Sequence, residues 1–244
     1  SGGFGVVARG QYHGADVALK LPRDTSAAVL GKCLDSVSKE LRIFRRLRHP
    51  NIVTFYGACI NLKNLDLLLV LEFIRGQVLH DVIPENKPAE TGTDMDTRLS
   101  LLLDVACALG YLHSQAPVII HGDIKSTNVL VECPEAGLAR ARLLDFGLSR
   151  LLTRRTEALG GTLRYMAPEV IAKQSNSVTP AADVFCFGRL LYMAMTGREP
   201  LAGKKRDDII QASMKGRCLD LEWPTAQSIE AVRQLCDRCV RADT

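Results

Sequence analysis

The sequence predicts an α+β fold built from two subdomains of different class that meet near residue 75. Strand-like runs with a single helical pattern fill residues 1–74, whereas helical patterns dominate residues 75–244. Only three short strand candidates fall in the second part. Strands and helices that are segregated along a chain, rather than alternating, are typical of α+β proteins.

The first subdomain starts with two short strands, at residues 6–12 and 16–21, and the His13-Gly14 pair between them predicts a hairpin turn. Residues 52–60 and 67–74 return to strand character and are joined by a polar turn. Between these two pairs of strands, apolar residues at helical spacing predict an amphipathic helix that ends at the His49-Pro50 step. These apolar residues are Leu34, Val37, Leu41 and Phe44.

The second subdomain is mainly helical. Its four helical patterns cover residues 98–113, 183–196, 207–214 and 229–240. Its strand candidates are residues 118–120, 129–131 and 142–144. The stretch at 84–94 is rich in Pro, Glu, Thr and Gly, a composition that predicts a surface loop.

Composition restricts the class of protein. The 244 residues include 31 Lys and Arg against 27 Asp and Glu, a net charge of +4 that argues against a general nucleic-acid binder. Eight cysteines at irregular spacings, in a chain too long to need a disulfide framework, indicate reduced thiols and a cytoplasmic location. The apolar runs are too short to cross a membrane. We therefore expect no nucleic-acid partner and no membrane insertion within this segment.

A glycine-rich turn opens the chain. Its glycines let backbone amides approach phosphate oxygens without a Cβ in the way. Lys20 closes the next apolar strand, from which its side chain can reach a phosphate, and Glu40 on the amphipathic helix is the candidate partner that holds it. Each feature also has an ordinary structural explanation: a glycine hairpin, an edge lysine and a solvated helix carboxylate.

Polar residues that can take part in catalysis or metal binding follow the short strand candidates of the second subdomain. Asp123 can orient or deprotonate a hydroxyl, Lys125 can hold a transferring phosphoryl oxygen, and Asn128 offers a carbonyl oxygen to a hard cation. Asp145 follows another short strand and can supply a second oxygen to the same cation. Taken by themselves, residues 121–128 could instead form a turn between two strands without a catalytic role.

Taken together and in order, these motifs resemble those of a eukaryotic protein kinase catalytic domain over nearly the whole chain. They are the glycine loop, the strand lysine, the helix glutamate, the catalytic loop, Asp145-Phe146-Gly147 and Ala167-Pro168-Glu169. The resemblance implies a bilobal protein-kinase fold, with a small β-rich N-lobe at residues 1–74 that carries one regulatory helix and a larger, mainly helical C-lobe at 75–244. It also implies that the chain lacks the first glycine and strand start of the N-lobe and the final helix of the C-lobe.

The resemblance assigns roles to individual residues. Lys20 would bind the α- and β-phosphates of ATP and pair with Glu40, Asp123 would take the hydroxyl proton, and Lys125 would stabilise the transferred phosphoryl group. Thr162 would bridge Asp123 and Lys125, and Asp183 would brace the backbone of the catalytic loop. Asn128 and Asp145 would hold Mg²⁺, with Mn²⁺ as the alternative metal. The remaining ATP-binding residues would be Gly2, Gly3, Phe4, Gly5, Val7, Ala18, Leu71, Glu72 and Phe73.

The specificity motifs are mixed. The Asp123-x-Lys125-x-x-Asn128 arrangement and Gly161-Thr162 resemble serine/threonine kinases, whereas Tyr165-Met166-Ala167 is more similar to tyrosine kinases. This mixture resembles the tyrosine-kinase-like group, which contains Raf-like, mixed-lineage and plant receptor-like kinases. We therefore predict a serine/threonine kinase that uses ATP on protein substrates in signal transduction, in the cytoplasm or on the cytoplasmic side of a membrane receptor. The alternatives are a dual-specificity or tyrosine kinase, and a pseudokinase-like scaffold.

Two further features are the glycine at position 122 and a pair of cysteines near the end of the chain. Gly122 stands where most kinases have an arginine, so one hypothesis is that activity does not require a loop phosphate read through this position; the other is that glycine is simply tolerated there. Cys236-x-x-Cys239 lies in a helical pattern without a second cysteine pair, which favours core packing over zinc binding.

Overall fold

The computed structural model describes residues 6–21, 41, 45, 47–61, 66–90, 92–132, 138–144, 162–173, 179–225 and 229–241. These residues form two antiparallel sheets and a set of helices, in the predicted order of a β-sheet N-lobe followed by a helical C-lobe. Within the described ranges, no helix combines the length and the apolar character needed to cross a membrane.

The first sheet has four strands in the order β1-β2-β4-β3. The hairpin of β1 and β2 turns at His13 and Gly14, whose φ values are 50° and 81°. Positive φ at both turn residues is the requirement of the tight turns that match strand twist, so the predicted hairpin is confirmed. The strands are β1 (Val6–Tyr12), β2 (Ala15–Leu21), β3 (Phe55–Asn61) and β4 (Asp66–Glu72).

The amphipathic helix predicted before His49 falls largely outside the described residues. Of its described positions, Leu41 and Arg45 are helical, whereas Leu47 and Arg48 are not, so the helix ends before the predicted His49-Pro50 step. Leu41 packs against the main hydrophobic core, as its place in the apolar pattern predicts.

A second sheet of three strands, in the order β5-β6-β7, follows the first. Its strands are β5 (Gly76–Val78), β6 (Val129–Glu132) and β7 (Arg140–Leu143). A Cβ built on Gly76 would lie 2.3 Å from the carbonyl oxygen of Val131, so only glycine lets these two strands approach this closely. The sequence did not predict β5, because three residues are too few to show an alternating pattern.

The described part of the C-lobe contains six α-helices. They are α1 (Leu79–Val82), α2 (Thr93–His113), α3 (Pro168–Ile171), α4 (Pro180–Thr196), α5 (Arg206–Met214) and α6 (Glu230–Val240). α4 is buried along most of its length, and the main core is formed where it meets the apolar face of α2 and the second sheet. Thr179 caps α4 by accepting from the Ala182 amide, and Gly197 ends the helix in the left-handed conformation.

Two predicted elements differ from the structure. Residues 118–120 are not a strand, because the amide of Ile119 donates to the carbonyl of Leu112 at the end of α2 and Val118 is exposed. The predicted surface loop at 84–94 is partly interior. Its Ala89 amide donates to the carbonyl of Met195, and the Ala89 side chain is buried.

Candidate active site

The predicted catalytic loop connects α2 to β6, and the fold buries most of its polar residues. His121, Asp123, Lys125 and Asn128 are each at most 8% exposed. A short 3-10 turn, Ser126–Asn128, leads into β6, and the Leu144 amide donates to the carbonyl of Asn128. Strand β7 therefore holds the end of the loop, and the residue that follows Leu144 is the predicted metal ligand Asp145, which lies outside the described residues.

Asp123 lies at the centre of the site. Its Oδ2 accepts a hydrogen bond of 2.8 Å from the Asn128 amide and forms a 2.8 Å ion pair with Nζ of Lys125. Its other oxygen, Oδ1, is buried and has no hydrogen-bond partner among the described residues. A buried carboxylate oxygen without a partner is unfavourable in a resting protein, so this atom is available to a hydroxyl group of a ligand.

Asn128 has one polar atom left for a metal. Both hydrogens of its amide nitrogen are used by Asp123, on the backbone carbonyl and on Oδ2, each at 2.8 Å. This leaves the carbonyl oxygen Oδ1, a hard donor of the kind that Mg²⁺ prefers. The described half of the predicted metal site therefore fits a hard divalent cation.

Asp183, near the start of α4, braces the backbone of the loop. Its Oδ2 accepts from the His121 amide at 2.8 Å and from Nε2 of His113 at 2.9 Å, and its Oδ1 accepts from the Gly122 amide at 2.8 Å. Asp183 is fully buried. Gly122 has a φ of 77°, a conformation that glycine adopts without strain. The predicted bracing role is thus visible as three hydrogen bonds, and the backbone conformation gives a physical reason for a glycine at position 122.

His121 connects the two ends of the site. Its Nε2 lies 2.8 Å from the carbonyl oxygen of Leu144, and its Nδ1 accepts from the Asp123 amide at 3.2 Å. Because one nitrogen accepts and the other faces a carbonyl, the ring carries its proton on Nε2. The imidazole therefore fixes Asp123 relative to the segment that precedes Asp145.

The predicted ATP-binding residues on the first sheet lie on neighbouring strands. Lys20 on β2 is 6% exposed and stands between Val7 of β1 and Leu69 of β4, and Ala18 pairs with Leu71. An ammonium group buried to this extent requires an anion nearby. The predicted role of Lys20 in binding phosphate likewise places an anion beside this group. Val7 is mostly exposed, in agreement with a position on an open face of the sheet.

The residues at the end of β4 are held from both sides. Glu72 accepts from the Thr54 amide at 3.1 Å, and Arg142 lies 3.9 Å from its other oxygen, so its carboxylate is engaged within the fold. The guanidinium of Arg9 lies 4.9 Å from the ring centre of Phe73. These contacts link β1, β4 and the second sheet beside the predicted ATP site.

Several predicted site residues lie outside the described part of the chain. They are Gly2, Gly3, Phe4, Gly5, Glu40 and Asp145. Thr162 begins a described 3-10 turn, Thr162–Arg164, but its side chain is outside the description. Their roles remain predictions.

A hydrogen-bond cluster beside the catalytic loop was not predicted. Oε1 of Glu199 accepts from the hydroxyls of Tyr165 at 3.2 Å and Ser126 at 3.4 Å, and it lies 3.1 Å from Nδ1 of His80. Burial, followed by the nearby Glu199 charge, raises the pKa of Tyr165 well above its usual range, so its hydroxyl stays protonated and donates. No local sequence signal indicates this cluster, because its four residues come from four distant segments.

One member of the α6 cysteine pair, Cys236, packs in the core. Cys236 is fully buried and its thiol donates to the carbonyl of Gly188 on α4 at 3.1 Å. The described residues contain no group of three or more His, Cys, Asp or Glu side chains arranged to hold a metal ion. The predicted core packing is confirmed for Cys236.

Comparison with known proteins gives one family and many relatives. The protein kinase domain family matches residues 1–244. A mitogen-activated protein kinase kinase kinase of Drosophila melanogaster is 37% identical over 83% of this chain and 17% of its own length. The serine/threonine-protein kinase CTR1 of Arabidopsis thaliana is 34% identical over 92% of this chain and 26% of its own, and mitogen-activated protein kinase kinase kinase 10 of Mus musculus is 35% identical over 82% and 21%. The chain thus spans about a quarter or less of the length of these relatives.

Proposed function

Because the chain belongs to the protein kinase domain family, within the tyrosine-kinase-like group, we propose that it transfers the γ-phosphate of ATP to serine and threonine hydroxyls of protein substrates. ATP, a divalent cation and a protein substrate follow from the family in general. The choice of Mg²⁺, the serine/threonine specificity and a cytoplasmic site of action are parts of the proposal. The name of the Arabidopsis thaliana relative, a serine/threonine-protein kinase, supports the specificity.

The observation that carries the proposal is the unpartnered Oδ1 of Asp123. In the proposed reaction the oxygen of the substrate hydroxyl forms a bond to the γ-phosphorus, the bond from that phosphorus to the bridging oxygen of ADP breaks, and the hydroxyl proton passes to Oδ1. Asn128 and Lys125 hold the other oxygen of Asp123, which keeps Oδ1 aimed at the hydroxyl. A carboxylate positioned in this way acts as a general base.

The charged side chains divide the remaining work. Lys125, anchored on Asp123 at 2.8 Å, places a positive charge beside the transferred phosphoryl group. Lys20 on β2 binds the phosphates on the N-lobe side, and Asn128 together with Asp145 holds the cation. When bound, Mg²⁺ neutralises the charge that develops on the phosphate oxygens. Because phosphoryl transfer depends mostly on positioning and charge stabilisation, these residues favour an active enzyme over a scaffold.

The test is transfer of label from γ-labelled ATP with Mg²⁺ to a degenerate peptide mixture, followed by phosphoamino-acid analysis. We expect label on serine and threonine, and we expect Asp123→Asn to reduce kcat by about 10²-fold or more while ATP binding is retained. Asp96→Asn, at an exposed position of α2, is the matched control and should transfer normally.

Two outcomes would contradict the proposal. Label confined to tyrosine would replace it with a tyrosine-kinase assignment. Binding of ATP without any transfer by the unmutated chain would support the scaffold alternative.

A further inference from the structure

One face of the first sheet carries the predicted ATP-binding residues of the strands. Paired residues of antiparallel strands place their side chains on the same face, and so do residues two positions apart on one strand. Lys20 of β2 pairs with Val7 of β1, which marks the phosphate end of this face. Two positions along each strand, the next row consists of Arg9, Ala18 and Leu71. Arg9 therefore lies on the predicted nucleotide face, although it belongs to none of the kinase motifs.

The guanidinium of Arg9 contacts two groups at the outer end of this face. It forms an ion pair with the carboxylate of Asp16 on β2. It also lies 4.9 Å from the ring centre of Phe73, the first residue of the segment 73–75 that connects β4 to β5. A guanidinium within about 6 Å of an aromatic ring centre is attracted by the ring. One side chain thus joins the β1–β2 hairpin to the segment that connects the two sheets.

The charges around this contact favour its present arrangement. The hydrogen bond to Asp16 raises the pKa of Arg9, and the same hydrogen bond lowers the pKa of Asp16. The charge of Arg75, which belongs to the connecting segment, also lowers the pKa of Asp16. Asp16 therefore attracts one cation from β1 and another from the connecting segment, and both attractions hold the hairpin against that segment.

The contact lies at the end of the face that solvent reaches. Lys20 at the phosphate end is 6% exposed, whereas the side chains of Arg9 and Asp16 are 54% and 35% exposed. An ATP molecule with its phosphates at Lys20 places its adenosine in the row of Arg9, beside the contact with Phe73. The predicted glycine turn directly precedes β1 in the sequence, so the hairpin and the turn cover the nucleotide together. Release of the nucleotide then requires the hairpin to move away from the connecting segment, which the Arg9–Phe73 contact resists.

We propose that Arg9 is a positioning residue for the nucleotide: its contact with Phe73, anchored by Asp16, holds the hairpin over the adenosine end of the ATP site and slows nucleotide release. Arg9 acts through Phe73 and not on the reacting atoms. This inference rests on the proposed function, since it concerns the ATP site of the same reaction. A cation–π contact at an exposed site is strong enough to change a rate about two- to fivefold.

The rate of nucleotide dissociation tests this contact directly. The chain is loaded with methylanthraniloyl-ADP and Mg²⁺ and is then mixed with excess ADP in a stopped-flow fluorimeter. We expect Arg9→Ala and Phe73→Leu each to raise the dissociation rate about two- to fivefold, with a smaller change in the association rate. Arg140→Ala, at an exposed position on β7 of the second sheet, is the matched control and should leave the dissociation rate unchanged.

Paired variants distinguish this contact from a general loss of stability. If the two side chains act through each other, the double variant of Arg9→Ala and Phe73→Leu should release the nucleotide no faster than the faster single variant. Phe73→Tyr keeps an aromatic face for the guanidinium and should retain slow release. Multiplied effects in the double variant, an unchanged rate for Arg9→Ala, or an equal effect of Arg140→Ala would overturn the inference.

Nucleotide release and phosphate transfer can fail separately. If the chain binds methylanthraniloyl-ADP but transfers phosphate to no peptide, the proposed function is wrong, whereas faster release from Arg9→Ala would still support the contact. Transfer by a chain whose dissociation rate does not respond to Arg9→Ala would overturn the inference alone. A chain that binds no nucleotide would overturn both.

Discussion

Replacement of Asp183 is the most direct test of how the fold supports the catalytic loop. The side chain is fully buried and accepts three hydrogen bonds of 2.8–2.9 Å, from the amides of His121 and Gly122 and from the ring of His113. Asp183→Ala removes both acceptor oxygens and with them all three hydrogen bonds, and the buried His121 amide is then left without a partner. Such a loss costs about 1–3 kcal/mol for the orphaned amide alone.

The three bonds differ in how easily water can replace Asp183. Gly122 is exposed and the His113 side chain is 18% exposed, so water can reach both donors. We therefore expect Asp183→Ala to lower the free energy of unfolding by about 3–5 kcal/mol, Asp183→Asn by about 1–2 kcal/mol, and His113→Ala by about 1 kcal/mol. Asparagine keeps one acceptor oxygen, which explains its intermediate rank.

Urea unfolding followed by tryptophan fluorescence measures these differences. The chain has one tryptophan, Trp223, whose indole lies 5.1 Å from the ring of Tyr192 on α4, so its signal reports unfolding of the lobe that contains Asp183. An Asp183→Ala variant that loses less than about 1 kcal/mol would refute the reasoning, since that is the low end of the cost of one orphaned buried amide. So would equal losses for the alanine and asparagine variants.

Three other predictions follow from single observations. Gly122→Ala should lower the free energy of unfolding by about 1 kcal/mol, measured by urea unfolding, because the position has a φ of 77°. Glu199→Ala should lower kcat more than it raises KM for peptide, because Tyr165 and Ser126 lose the acceptor that they share beside the catalytic loop. Burial raises the pKa of Cys236 from 9.0 to about 12, so the folded chain keeps a thiol proton that the unfolded chain loses. Stability should therefore fall by about 1.4 kcal/mol per pH unit from this thiol as pH rises from about 9 to 12, and Cys236→Ala should flatten that part of the pH profile.

Each of these predictions has a control and a contradicting result. For Gly122, Gly14→Ala changes a glycine of similar φ in an open turn remote from the catalytic loop, and an unchanged stability of Gly122→Ala would contradict the left-handed backbone. For Glu199, Glu222→Ala changes a carboxylate that pairs with Lys204 at the surface, and equal kinetic effects of the two variants would exclude a positioning role. For Cys236, the exposed Cys107 is the matched thiol, and a pH profile that Cys236→Ala leaves unchanged would contradict the raised pKa.

Much of the fold could be predicted because its signals are local. The hairpin at His13 and Gly14 depends on two adjacent residues with positive φ, and α4 depends on an apolar pattern within one segment. Strand β5 and the absence of a strand at 118–120 could not be predicted in the same way. Pairing partners far along the chain decide whether a short apolar run becomes a strand, as the contact of Gly76 with Val131 shows.

By itself, the sequence determined the order of the lobes and the chemical groups of the catalytic loop, because the spacing of Asp123, Lys125 and Asn128 within six residues constrains where their side chains can meet. Only the tertiary structure decided which of their atoms remain available. It placed two partners on one oxygen of Asp123 and left the other without one, and it brought Glu199 to Ser126 from 73 positions away. Hydrogen bonds and charges act over a few ångströms in space, whatever the separation along the chain, so the choice of partner belongs to the folded arrangement rather than to any local pattern.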